Sequence, residues 1–230
     1  PVRTSVSVES NRVYVGAGVF PHEGVFMLAL NADDGSVIWK NEDVSQMMGG
    51  FSPQGYLLMS DRGIMVPSGR NGPVCVDRTT GRRPSEWSPK AGGIFYHNRG
   101  GIYGVLVDQA LYFGTQSTLY RLDMGTGMIV SEWPSARRLL ASPEHYYILK
   151  GPAAAWGKVP TTTVITAILA VPRFSEVLGD SIPPPGGPFP SVSNVPPRWT
   201  YERPDLMSMI LAGNRLVTGG SNEVVMLDTA

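Results

Sequence analysis

A short phrase recurs along this 230-residue chain at a constant step. It reads apolar residue, Asp or Asn, two residues, a Thr or Asp, then Gly. The first copy is Leu30-Asn31-Ala32-Asp33-Asp34-Gly35, followed by Trp39. The second is Val76-Asp77-Arg78-Thr79-Thr80-Gly81, then Trp87, and the third is Leu122-Asp123-Met124-Gly125-Thr126-Gly127, then Trp133. Asn31, Asp77 and Asp123 lie 46 residues apart. A constant step of this size marks a stack of similar units, each too small to bury its apolar face alone.

The same step places the fourth phrase at Leu169, within Thr166-Ala167-Ile168-Leu169-Ala170, where Leu replaces the acidic residue and Arg173 the Gly. The fifth copy is Met226-Leu227-Asp228-Thr229-Ala230. Asp228 lies 59 residues past Leu169, one step and 13 residues more. The excess is assigned to a Pro-rich insertion over 171–197, which holds Pro183-Pro184-Pro185-Gly186-Gly187-Pro188 and Pro196-Pro197. The count is therefore five units, the fourth degenerate. The alternative is an unrelated insertion over 140–200.

Upstream of each phrase lies a second apolar run: Val13-Tyr14-Val15, Ile64-Met65-Val66, Leu111-Tyr112-Phe113, Tyr146-Tyr147-Ile148 and Leu216-Val217. Runs rich in Val, Ile, Tyr and Phe, bounded by Gly, Asn and Asp, read as short strands. With Tyr56-Leu57-Leu58-Met59, Ile102 to Val107 and the Trp-bearing segments, each unit holds about four strands. Four-stranded antiparallel units of about 40–50 residues are blades of a β-propeller. The fold class is all-β. Strand ends are expected near Asn31, Asp77, Asp123, Leu169 and Asp228, and the one helical spacing is at Arg173-Phe174-Ser175-Glu176-Val177-Leu178.

The phrase has a structural reading. A carboxylate or amide at a strand end accepts a bond from a backbone N–H two residues on, a Thr hydroxyl adds another, and Gly supplies the positive φ that closes a hairpin. The following Trp falls on the outgoing strand, where it buries about 150–250 Å². Such residues need no catalysis to explain them.

Ala29 to Trp39 resembles the repeat of PQQ-like (quinoprotein alcohol dehydrogenase-like) β-propellers. The resemblance covers essentially the whole chain, weakly in the fourth unit. It implies that the Trp of each unit docks on an adjacent blade, with Trp199 the displaced counterpart in unit four. It also implies a bacterial, periplasmic or otherwise extracytoplasmic protein. Propellers of seven or eight such blades need about 320–370 residues. Residues 1–230 are therefore expected to be one propeller segment truncated at both ends; a closed ring of five is the alternative.

Charge is balanced, with 19 basic and 19 acidic residues, and charged residues make up only 17%. No nucleic-acid partner driven by bulk charge is expected. The apolar stretch from Val164 to Val171 is too short to span a bilayer, so no membrane span is expected. The single cysteine, Cys75, rules out an internal disulfide and reads as a buried thiol.

Quinoprotein dehydrogenases of this family use pyrroloquinoline quinone with calcium, a pair of adjacent cysteines, and a Glu/Asn/Asp metal set beside a catalytic Asp. This chain matches no such pair. His22, His97 and His145 lie far apart, and Asp33-Asp34 and Glu42-Asp43 sit in or beside turns. No catalytic residue, metal ligand or cofactor is assigned. Arg70, Arg78, Arg82 and Arg83 form a possible anion-facing patch, with a solvated turn the plainer reading. Ser52-Pro53-Gln54-Gly55-Tyr56 precedes a strand expected to line the central channel, so Gln54, Tyr56 and Arg70 are the candidate ligand-binding residues. The expected function is a non-catalytic binding or assembly scaffold, its partner a protein or small-molecule ligand. Outer-membrane assembly lipoproteins and sensor propellers are the resemblances that point there. The alternative is a fragment of a PQQ-dependent alcohol or sugar dehydrogenase.

Overall fold

The computed structural model describes residues 2–18, 24–42, 52–69, 72–85, 103–108, 110–114, 118–125, 127, 129–151, 165–172, 196–220 and 222–229. Every regular element among them is a β-strand. The chain divides into two compact units, Pro1–Thr115 with Arg121–Ile129, and Gln116–Tyr120 with Val130–Ala230. Trp87, Arg70, His22, His97 and the expected helical segment at 173–178 lie outside the described residues.

In the first unit, β1 (Ser7–Glu9), β2 (Arg12–Ala17), β3 (Phe26–Asn31) and β4 (Val37–Asn41) form an antiparallel sheet in chain order. A second sheet joins β5 (Leu58–Ser60), β6 (Gly63–Val66) and β7 (Val74–Val76). A third, with strands drawn from both units, is built from β8 (Tyr103–Val107), β9 (Ala110–Gly114), β10 (Thr118–Asp123) and β11 (Ile129–Pro134). In the second unit, β12 (Ala136–Ala141), β13 (His145–Lys150), β14 (Ile165–Pro172) and β15 (Trp199–Pro204) make a four-stranded sheet. The last sheet is β16 (Ser208–Ala212), β17 (Arg215–Gly220) and β18 (Glu223–Asp228).

Strands β3, β10 and β18 end at Asn31, Asp123 and Asp228, and β7 stops one residue before Asp77. The expected end at Leu169 is corrected: β14 continues to Pro172. Register explains the shift. Arg12 pairs with Asn31 and His145 with Pro172, so Pro172 holds the place of Asn31 in the fourth sheet. The 46-residue count pointed three residues too early.

The turn phrase folds alike wherever it is described. Asp77 Oδ1 accepts the Thr79 and Thr80 N–H groups at 3.0 and 2.7 Å and the Thr80 hydroxyl at 2.8 Å. The Gly81 N–H donates to the Asp77 carbonyl at 2.9 Å. Gly35 and Gly127 donate at the same 2.9 Å to the carbonyls of Asn31 and Asp123. Gly35, Gly81 and Gly127 have φ of 72°, 69° and 72°, a left-handed conformation that glycine adopts without penalty.

Packing follows from rows of residues across each sheet. Tyr14 pairs with Ala29, and Ala29 with Trp39. The methyl of Ala29 leaves room for the flanking rings to meet, with centroids 6.1 Å apart. This face packs on Ile64, Val66, Val74 and Val76 of the second sheet, all fully buried. The fourth sheet repeats the row as Tyr147, Ala170 and Trp199, ring centroids 5.9 Å apart. There the face packs on Met209, Leu211, Leu216 and Leu227 of the fifth sheet. Trp133 is buried, edge-on to Tyr146 at 6.2 Å.

Between the first and second sheets the contact is also polar. Trp39 Nε1–H donates to the Arg78 carbonyl at 3.0 Å, and Arg12 Nη1 to the same oxygen at 3.2 Å. The Asn41 amide donates to the Gly81 carbonyl, and Arg78 pairs with Glu9. The Trp39 ring lies so close over Gly81 that a Cβ there would fall 2.4 Å from Cε3.

Two outcomes follow. Gly81→Ala is expected to destabilise the protein by about 2 kcal/mol more than Gly35→Ala in urea unfolding, because backbone strain is common to both while only Gly81 meets a ring. Equal losses would show that Trp39 does not press on the turn. Burial pushes the Asp77 carboxyl up, but hydrogen bonds from Thr80 and Thr79, helped by the Arg78 charge, together outweigh it and hold the carboxyl below its ordinary 3.8. A group with a depressed folded pKa stabilises above its unfolded value, and that contribution fades as pH falls through the folded value. The stability difference between wild type and Asp77→Ala should therefore be constant at neutral pH and shrink below about pH 4.

Candidate functional site

The candidate segment lies where the leading strands of two adjacent sheets meet in the first unit. Residues 2–6 extend β1 back along β2, with a bridge from Val2 to Ala17. Residues 52–57 extend β5 in the same manner, with a bridge from Pro53 to Ser68. The two leaders touch through a parallel bridge between Thr4 and Gly55. Ser5 N–H donates to the Gly55 carbonyl at 2.8 Å, and Gly55 N–H to the Arg3 carbonyl at 3.3 Å.

Small hydroxyl side chains close this seam. Thr4 Oγ1 accepts the Gly16 N–H at 2.8 Å, and Ser5 Oγ accepts the Leu57 N–H at 3.0 Å. Ser52 Oγ donates to the Gly18 carbonyl at 3.4 Å, and the Ser52 N–H to Ser68 Oγ at 3.4 Å. Gly16 has no room for a side chain, since a Cβ would stand 2.7 Å from Thr4 and 2.8 Å from Pro53. The sequence reading named Ser52 only as the start of the candidate segment and missed Thr4, Ser5 and Ser68. The signal lay in Thr4-Ser5-Val6-Ser7, where hydroxyl residues sit beside an apolar run.

On this seam Gln54 and Tyr56 sit two positions apart, while Leu57 turns inward and is buried. Gln54 is half-buried, its N–H donating to the Pro67 carbonyl at 2.9 Å and its side-chain amide lying against Gly69. Tyr56 is 73% exposed, the most exposed aromatic side chain among the described residues. Together they offer an amide and a phenol ring on a backbone whose own groups are largely engaged. The anion-facing patch is corrected in part: Arg78 is held by Glu9 and belongs to the inter-sheet contact. Cys75 is fully buried, as expected of an inert thiol.

Among the described residues no three His, Cys, Asp or Glu side chains gather at metal-ligand spacing. His145 is buried, its Nδ1 3.9 Å from the Glu144 carboxylate and its ring near Tyr147.

No protein-family model matches the sequence, and no curated protein matches it at sequence level. Solved structures do resemble it in fold. BamB from Moraxella catarrhalis superposes with a TM-score of 0.50 at 13% identity, over 99% of this chain and 71% of that one. Quinohemoprotein alcohol dehydrogenase ADHIIG from Pseudomonas putida HK5 gives 0.60 at 16% identity, over 98% of this chain and 40% of that one. Quinohemoprotein alcohol dehydrogenase from Comamonas testosteroni gives 0.61 at 11% identity, over 99% and 51%. The chain thus spans about half, or less, of the length of the two dehydrogenases. With its antiparallel sheets and its recurring Asp-to-Gly turns, the chain has the fold of the PQQ-like β-propellers.

Proposed function

We propose that this propeller segment is a non-catalytic scaffold that binds a protein or a small ligand, in an extracytoplasmic compartment. The observation that carries the reading is the use of its polar residues. Asp77, Thr80, Asn31, Asn41, Arg78 and Glu9 are all engaged in turns or inter-sheet contacts. What remains at the leader seam is Gln54 beside the exposed Tyr56, the third candidate, Arg70, lying outside the described residues. An exposed ring carried on a rigid strand suits partner recognition, since Tyr supplies contact area at low entropic cost. The likeness to BamB supports the reading, and no helix among the described residues is long and apolar enough to cross a membrane. The likeness to two alcohol dehydrogenases favours the second reading, a fragment of a quinoprotein dehydrogenase.

The cofactor separates the two. A quinone of this class needs an enclosed pocket and a cation to polarise its carbonyl. Titration with pyrroloquinoline quinone and calcium, followed by calorimetry and absorbance, is expected to give dilution heats alone. Saturable one-to-one binding with dye-linked oxidation of an alcohol or sugar would establish the dehydrogenase reading instead. A photo-crosslinking residue in place of Tyr56 is expected to trap a partner from a periplasmic extract, while the same residue at exposed Arg62 traps none. Equal labelling at both positions would remove the seam from consideration.

A further inference from the structure

In the first and fourth sheets a row of Tyr, Ala and Trp, here called the giving row, packs on the sheet that follows. Its central residue stands two positions before the head of the turn: Ala29 before Asn31, and Ala170 before Pro172, the counterpart of Asn31. The second and fifth sheets place Cys75 and Met226 two positions before Asp77 and Asp228. These four residues are small or apolar. The third sheet departs from them, with Arg121 two positions before Asp123 on β10.

Matching the hairpins extends the comparison. Glu9 pairs with Arg12 across the hairpin of the first sheet, and Val107 with Ala110 across its counterpart in the third. Tyr112 therefore takes the place of Tyr14, and it is fully buried. Tyr14 pairs with Ala29, so the same register sets Tyr112 and Arg121 at adjacent positions of the neighbouring strands β9 and β10. Both belong to the first unit.

Arg121 is half-buried, and its Nε–H is shielded from solvent without a hydrogen-bond acceptor. Arg12 and Arg78, also half-buried in this unit, both have one, the Arg78 carbonyl and the Glu9 carboxylate. Among the described residues no carboxylate pairs with Arg121. A charged donor that is shielded and unmet has lost its bonds to water with nothing in exchange. Such a group calls for an acceptor from outside the chain.

We propose that Arg121 anchors a binding site for a small monocarboxylate, whose two oxygens accept from Nε–H and a neighbouring Nη–H of the guanidinium. Three features select this ligand. The Nε edge of a guanidinium presents two parallel N–H groups at the spacing of a carboxylate. One cation matches one negative charge, whereas a phosphate group brings about 1.5 to 2. The adjacent position is a buried Tyr, which suits a ligand with an aromatic or aliphatic body. The site uses none of the seam's residues and does not rest on the scaffold reading.

The probe is benzoate, titrated calorimetrically into the 230-residue chain. The wild type is expected to bind it saturably, and inorganic phosphate at least about 10-fold more weakly. Arg121→Met, similar in length and uncharged, is expected to weaken benzoate binding by about 100-fold or more. Arg121→Lys keeps the charge but loses the fork, and is expected to weaken it by about 10-fold. Benzoate should raise the melting temperature of the wild type and leave that of Arg121→Met unmoved. Without benzoate, Arg121→Met is expected to melt at or above the wild type, because it removes a shielded donor that has no acceptor. A wild type that binds no benzoate overturns the proposal, as does undiminished binding by Arg121→Met. Phosphate binding as tight as that of benzoate overturns the choice of a carboxylate. A methionine variant that melts well below the wild type makes Arg121 a structural residue and overturns the site. Should that variant fail to fold, Arg121→Lys decides, since unchanged benzoate affinity there is equally fatal.

Discussion

The packing of Trp39 on the turn from Asp77 to Gly81 is the contact on which the rest of the first unit depends. It joins a large apolar burial to a hydrogen bond, the indole N–H reaching the Arg78 carbonyl at 3.0 Å. A carbonyl in a turn has no strand partner, and leaving it buried without a donor costs about 1–3 kcal/mol. Trp39, Arg12 and Asn41 supply donors to this turn from the first sheet. The turn can accept them because Asp77 has already fixed its shape from within. The ring can come close because position 81 has no Cβ.

The same economy extends across the sheets. A strand has two faces, and a sheet in the middle of a stack must make both apolar. The second sheet does so with short strands that are buried throughout, Gly63–Val66 and Val74–Val76. Strands of the first and fifth sheets alternate in burial instead. Small residues at the centre of the giving rows, Ala29 and Ala170, set the distance at which a Tyr and a Trp on neighbouring strands can share one surface. Where the fifth sheet carries Met226 and Val217, no aromatic pair forms and the row is less bulky.

The proposed recognition seam and the stabilising turns draw on different residues. Polar groups that look chemical in the sequence are spent on turns. Arg78 is the clearest case, its guanidinium held by Glu9 and its carbonyl by Trp39 and Arg12. The seam carrying Tyr56 is different: its backbone is tied down by Thr4, Ser5 and Ser52, and its ring projects outward. Rigid support beneath an exposed aromatic group lowers the entropic cost of binding a partner.

The sequence by itself determined the strands and the turns, because these rest on local physics. Alternating apolar runs, a carboxylate at the strand end and a glycine at φ near 70° are set within a few residues of one another. Cys75 was legible for the same reason, lying between two valines of a buried strand. Only the tertiary structure decided register and partnership. The fourth sheet's counterpart of Asn31 is Pro172, fixed by pairing with His145 and invisible to a count of residues. Whether an arginine is free, or which hydroxyls tie two strands together, depends on contacts such as those between Glu9 and Arg78 and between Thr4 and Gly16. Such pairings span sheets or hairpins, where no periodicity records them. Tyr56 and Gln54 could be singled out from their place before a strand, but the exposure of one and the partial burial of the other follow from how Leu57 turns into the core.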